Sequence, residues 1–156
     1  MTIEFTLNNE TKKIDVPASA RLLDVLRDKF ALKSPKDACG EGECGACMVL
    51  VNGRAMNSCL IAAGSVSGKS VLTLEGFKLT QRYKMIEAGL LEAGAVQCGY
   101  CTPGFVISIE SLLNHNPRPS DKEIREALSG NLCRCTGYNM IIQGVRIAIE
   151  KGDGLW

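Results

Sequence analysis

The stretch CGEGECGAC, Cys39 to Cys47, puts three thiols into nine residues and fills most of the space between them with glycine and glutamate. The whole chain has 156 residues, eight cysteines and one histidine. Gly40, Gly42 and Gly45 give this loop access to dihedrals that side chains disfavour, and let its backbone approach a bound group closely. A fourth cysteine, Cys59, follows a short apolar segment, so the set reads C-x4-C-x2-C-x11-C. Four thiols on one such loop and its return segment point to a metal centre.

That spacing is the one used by plant-type [2Fe–2S] ferredoxins. Two irons bridged by two sulfides need four thiolates converging from a loop that wraps the cluster, with backbone N–H groups turned toward the sulfurs. Zinc is the rival. Zinc ribbons pair two C-x2-C knuckles about 15–20 residues apart, and this set has a single C-x2-C, so the spacing favours iron.

The remaining cysteines form a second set, Cys98, Cys101, Cys133 and Cys135, spelling C-x2-C-x31-C-x1-C. The C-x-C step is tight for one zinc but suits neighbouring thiolates on a two-iron cluster. Cys98 and Cys101 precede a helical pattern that opens at Pro103, and Cys133 and Cys135 precede another near Tyr138. Two helix N-termini would then face one anionic centre, which their dipoles and free N–H groups stabilise.

The two sets divide the chain. The first half reads as strands. TIEFTL alternates Ile3, Phe5 and Leu7, and with KKIDV it makes a hairpin from Thr2 to Val16. RLLDVLRDKF puts Leu22, Leu23, Leu26 and Phe30 on one helical face. MVLVNGRAM turns at Asn52-Gly53, the dipeptide of a type I′ hairpin, and SVLTLEG supplies a last strand. EGFKLTQR reads as a linker starting near Gly76.

The second half reads as four helices: YKMIEAGLLEAGAV, PGFVISIESLLNHN, SDKEIREAL and GYNMIIQGVRIAIEK. Thr102 is the expected N-cap of the second, ahead of Pro103, and Ser120 with Glu123 form a capping box on the third. In the fourth, Tyr138, Ile141, Ile142, Val145 and Ile149 fall in helical register. The expected class is α+β, with domains at 1–76 and 77–156. Domains this small are marginal on burial alone, so the metal centres contribute to folding.

Composition narrows the partners. Hydrophobic residues make up 46% of the chain and aromatic ones only 5%, and the formal charge is +1. No basic run exceeds two residues, which argues against nucleic acid. MTIEFTLNNETKK lacks the charged and apolar regions of a signal peptide, and no apolar run approaches a membrane span. A cytoplasmic, reducing location is expected, where cysteines serve metals rather than disulfides. A secreted disulfide scaffold is the alternative, and the long amphipathic helices speak against it.

In this order, CGEGECGAC, AVQCGYCTPG and GNLCRCTGY resemble the iron–sulfur subunit of the molybdenum hydroxylases, the xanthine dehydrogenase and aldehyde oxidoreductase family. The resemblance spans nearly the whole chain. It implies a β-grasp ferredoxin domain followed by a four-helix-bundle domain, each with a [2Fe–2S] cluster. It implies partners too: a large subunit with molybdopterin and a medium subunit with FAD. Electrons would run from molybdenum through the helical-domain cluster and the ferredoxin cluster to FAD and an external acceptor. By the same resemblance, Gln97 and Cys135 contact the molybdopterin. In one respect the chain departs from the family. Members often open the first helix of the second domain with His-Pro-x-Gln, where this sequence has Lys84, Met85, Ile86 and Glu87. No expected cluster ligand is affected, and the departure bears on the linker path and on a subunit contact.

Other features carry less. His115 closes an apolar helix, where a cation is an ordinary stabilising feature. Met48, Met56, Met85 and Met140 are read as core fillers. Trp156 is either frayed or a partner anchor. No pair of carboxylates suggests acid–base work, and no dinucleotide fingerprint appears. No catalytic residue is expected on this chain. The alternatives to an electron-transfer subunit are a free two-cluster ferredoxin, disfavoured by the charge of +1, and a zinc-stabilised interaction module.

Overall fold

The computed structural model describes residues 1–156. Strands β1 (Thr2–Leu7) and β2 (Glu10–Asp15) form the first hairpin, turning at Asn8 and Asn9, both at positive φ. Helix α1 (Leu22–Asp24) runs on into a π-helical turn, Val25–Lys29. Strands β3 (Met48–Val51) and β4 (Arg54–Asn57) form the second hairpin, with Asn52 and Gly53 both left-handed as a type I′ turn requires. Strand β5 (Ser70–Leu72) completes a sheet of order β2-β1-β5-β3-β4, in which only β1 and β5 run parallel.

One face of the sheet packs on α1. Ile3, Phe5, Leu7, Val49, Val51 and Val71 meet Leu22, Val25 and Leu26 there. The wide π turn brings Val25 into the buried face and leaves Phe30 half-buried, edge-on to Phe5.

The second half contains α3 (Gln81–Glu92), α4 (Thr102–His115), α5 (Asp121–Ala127) and α6 (Asn139–Lys151), after a short α2 (Leu74–Phe77). The fold is therefore a ferredoxin-like sheet domain followed by a helical domain. Helices α3 and α6 approach closely because Gly89 meets Gly144, where an added Cβ would lie 2.3 Å from the Gly144 carbonyl oxygen. The capping box of Ser120 and Glu123 opens α5.

The halves share packing. Val49, Leu50 and Val51 are all buried, so β3 is covered on both faces. Leu50 joins the helical core of Phe105, Ile109, Leu113 and Val145 rather than the α1 side. The β4 amide of Ala55 donates to the Ser111 hydroxyl on α4 at 3.0 Å, which satisfies an edge group.

Five expectations change. The last strand stops at Leu72, and the segment read as a linker begins with a helical turn. Leu74 and Phe77 stand three apart, and Phe77 is fully buried, a gain of roughly 1.5–3 kcal/mol for a side chain of that size. Cys101 rather than Thr102 is the N-cap of α4, because the turn from Gly99 already winds into the helix. Tyr138 is the N-cap of α6 at φ 71, outside the helical register, and its ring turns back to the cysteine loop. Met56 and Met140 are exposed rather than core residues, since β4 is an edge strand and Met140 lies in the first turn of α6.

Candidate metal centres

The first cysteine set lies at the end of the sheet. Gly40, Gly42 and Gly45 take φ of 68, 77 and 71, so the loop from Cys39 to Cys47 curls in a way that side chains would resist. Cys59 comes from a 3-10 turn, Ser58–Leu60, just past β4. The Ser58 hydroxyl donates to the Cys47 carbonyl at 2.7 Å, and the Asn57 amide donates to the Gly42 carbonyl at 2.9 Å. Leu23 packs beneath Cys47 and Cys59.

The second set lies between helix starts. Cys101 caps α4, and Cys133 and Cys135 sit on the loop before α6. The Thr136 hydroxyl donates to the Cys133 sulfur at 3.2 Å, and the Cys133 amide donates to the Tyr138 hydroxyl at 3.1 Å. Cys98, Cys135 and the neighbouring Gln97 are exposed.

In both sets the thiols stand in pairs. Cys39 interacts with Cys44, and Cys47 with Cys59. Cys98 and Cys135 have sulfurs 3.7 Å apart, and Cys101 interacts with Cys133. Two pairs per set match a two-iron core, in which each iron takes two thiolates. A single zinc asks for four donors around one point.

The thiols differ in how readily they ionise. Backbone N–H groups of Glu41 and Cys44 pull Cys39 down to about 6, and the Glu41 amide lies 3.4 Å from its sulfur. Burial pushes Cys47 up to about 11 and Cys101 up to about 12. Burial opposes ionisation of Cys133 too, yet the hydroxyl and amide of Thr136 outweigh it and lower this thiol. The Cys98 thiol raises Cys135.

The two sets touch through the backbone. The Leu132 amide donates to the Cys44 carbonyl at 2.9 Å, so the residue before Cys133 is bonded to a cysteine of the other set. Asn131, nearly fully buried, reaches the Gly45 carbonyl at 3.5 Å, and an added Cβ on Gly104 would lie 2.2 Å from that same oxygen. Asn57, Asn131, Leu132, Thr136 and Tyr138 hydrogen-bond to the cysteine loops, contacts that cysteine spacing alone does not reveal. Asn131, Thr136 and Tyr138 stand inside GNLCRCTGY, whose polar residues were the available signal.

A sheet and a helical domain, each presenting paired thiols, define an iron–sulfur protein of two [2Fe–2S]-binding domains. Residues 5–71 match the 2Fe-2S iron-sulfur cluster binding domain family, and residues 73–146 match the [2Fe-2S] binding domain family. The chain is 48% identical over 151 residues to the nicotinate dehydrogenase small FeS subunit of Eubacterium barkeri, covering 97% of this chain and 96% of that one. It is 41% identical over 150 residues to the xanthine dehydrogenase iron-sulfur-binding subunit of Escherichia coli O157:H7, covering 93% and 92%. Among solved structures, quinoline 2-oxidoreductase from Pseudomonas putida 86 superposes with a TM-score of 0.90 at 37% identity, over 97% of this chain and 94% of that one. The chain belongs to the family of small iron–sulfur subunits of the molybdenum hydroxylases. It is thus the iron–sulfur subunit of an oxidoreductase, and none of its helices is long and apolar enough to cross a membrane.

Proposed function

We propose that this chain carries two [2Fe–2S] clusters and relays electrons from molybdopterin on a large partner subunit to FAD on a medium subunit, or to an external acceptor. The whole enzyme is a hydroxylase of a purine, an aldehyde or an N-heterocycle. The carrying observation is the two-plus-two pairing of thiols in each set. Cys39, Cys44, Cys47 and Cys59 would hold the first cluster, and Cys98, Cys101, Cys133 and Cys135 the second. We divide the domains at 76/77 and assign the chain to the cytoplasm, in keeping with eight free thiols.

When bound, each cluster supplies a one-electron store whose potential follows charge, hydrogen bonds and exposure. The protein sets those conditions. Glu41 and Thr136 aim donors at Cys39 and Cys133. The Leu132 to Cys44 hydrogen bond gives the two sets a short bonded link. Gln97, Cys98 and Cys135 form an exposed edge of the second set, with Val96, Tyr100 and Leu132 exposed around it. Exposed apolar groups around a redox centre suit a covering partner, and this edge is the one assigned to the molybdopterin, with Gln97 and Cys135 in contact.

The test is iron and labile-sulfide content with electron paramagnetic resonance after dithionite. Equal iron and sulfide with two distinct cluster signals are expected. Zinc without sulfide, or a single signal in the assembled enzyme, overturns the reading. Gln97→Ala is expected to leave both signals unchanged and weaken molybdopterin retention, and unchanged retention removes that role.

A further inference from the structure

Lys36 lies three residues before Cys39, and its amide donates to the Ala46 carbonyl, beside Cys47, at 2.8 Å. Its backbone therefore belongs to the first site. Its side chain does not stay there. The ammonium lies over the ring of Tyr100, 5.2 Å from the centroid, and Tyr100 stands between Cys98 and Cys101. A cation at this distance is attracted to the ring face.

This ammonium takes part in none of the chain's ten ion pairs. Burial works against its charge, as does Arg27, while Glu75 and Cys101 work for it. The Glu75 oxygens are already engaged by Lys33, Ser34 and Thr73. A half-buried cation without a carboxylate is costly unless an anion stands near. A two-iron cluster held by four thiolates is such an anion, and Cys101 is one of its ligands in the function proposed above.

We propose that Lys36 is a positioning residue that holds a fixed positive charge beside the second cysteine set, raises the reduction potential of that cluster, and so biases which of the two clusters keeps an electron. The inference rests on the two-cluster reading. One electron added to the second set increases its negative charge. The ammonium stabilises that reduced state more than the oxidised one, and partial burial keeps the interaction from being screened away. Uptake from the partner is favoured and return to it is disfavoured. The tie to Ala46 and the Tyr100 ring keep the charge from swinging into water.

The experiment is a redox titration of the assembled enzyme followed by electron paramagnetic resonance, with the two signals assigned by Cys44→Ser and Cys101→Ser. In Lys36→Gln the midpoint of the second-set signal falls and the first-set signal moves less. At partial reduction a larger share of spin then sits on the first set. Lys36→Arg restores the wild-type midpoint. Tyr100→Leu gives a smaller fall in the same direction, and it decides the matter if Lys36→Gln does not assemble. An equal shift of both signals, no shift, or a rise at the second set overturns the inference. Absence of two signals in the unmodified enzyme overturns the two-cluster reading and the inference with it.

Discussion

The indole Nε1 of Trp156 donates to Glu110 Oε2 across 2.9 Å, joining the C-terminal segment to a carboxylate that solvent does not reach. The other oxygen, Oε1, takes the Asn114 amide and the Arg82 guanidinium, each at 2.9 Å. The indole also fills the space over Gly152, where an added Cβ would lie 2.4 Å from a ring carbon. Trp156 is therefore neither frayed nor free. It closes the end of α6 onto α4, and Arg82 brings in α3.

Trp156→Phe keeps most of the ring area and removes the donor. The expected cost is about 1–3 kcal/mol, the penalty for a buried acceptor left unpaired. Burial raises the Glu110 carboxyl above its usual range, against the indole, Arg82 and Asn114, which lower it. A raised folded-state pKa means that its stabilising contribution is full below the ordinary value of 4.5 and is lost as pH rises through the folded value. Removing the indole raises the carboxyl further. The melting-temperature gap between Trp156→Phe and wild type is expected to be wider at neutral pH than in mild acid. A gap independent of pH would remove Glu110 from the explanation.

Much of this was legible in the sequence because it depends on neighbours in the chain. Asn52-Gly53 dictates its own turn, Ser120 and Glu123 cap their own helix, and the cysteine spacings mark two separate sets. What stayed hidden depends on distant packing. Leu74 to Phe77 coils because Phe77 finds the helical core. Tyr138 leaves its helix because the Cys133 amide lies within reach of its hydroxyl. The bond from Leu132 to Cys44 joins residues 88 apart, and no local pattern announces it. The substrate is not legible at all, since no residue of this chain is assigned to it.

Glu75 ties the segment before the first cysteine loop to the end of the sheet. It accepts from the amides of Lys33 and Ser34 and from the hydroxyls of Ser34 and Thr73. Burial pushes its carboxyl up, but these donors outweigh burial and hold it below the usual range. Its stabilisation is therefore present above the ordinary value of 4.5 and is lost as pH falls through the folded value. Glu75→Gln is expected to cost about 1–3 kcal/mol at neutral pH, where each kcal/mol moves the midpoint by about 2–4 °C in a chain of this size. The difference from wild type is expected to close in acid, and thermal melts across that range measure it.

Gly104 admits no side chain. An added Cβ would meet the Gly45 carbonyl oxygen at 2.2 Å and the Asn131 amide at 3.2 Å. Gly104→Ala is expected to push the two cysteine loops apart, costing about 1–3 kcal/mol as overpacking does. The Leu132 amide should then exchange with deuterium faster, because its bond to Cys44 is strained. Gly130→Ala is the control. Its nearest neighbour is Met48 Cε at 3.8 Å, and its φ is not positive. Equal protection of Leu132 in both variants would show that Gly104 does not hold the junction.

The pairing of thiols makes the last prediction specific to each site. Cys44 pairs with Cys39, and Cys101 pairs with Cys133. A serine hydroxyl is a poorer ligand for iron than a thiolate. Cys44→Ser is expected to lose the first-set signal and about half the iron, leaving the second-set signal in place. Cys101→Ser is expected to do the reverse, with a larger loss of stability, because the second-set loops lie between α4, α5 and α6 around the helical core. Iron analysis and low-temperature electron paramagnetic resonance on both variants read the outcome. Loss of both signals from either single change, with the protein still folded by circular dichroism, would mean that the eight thiols do not form two separate centres.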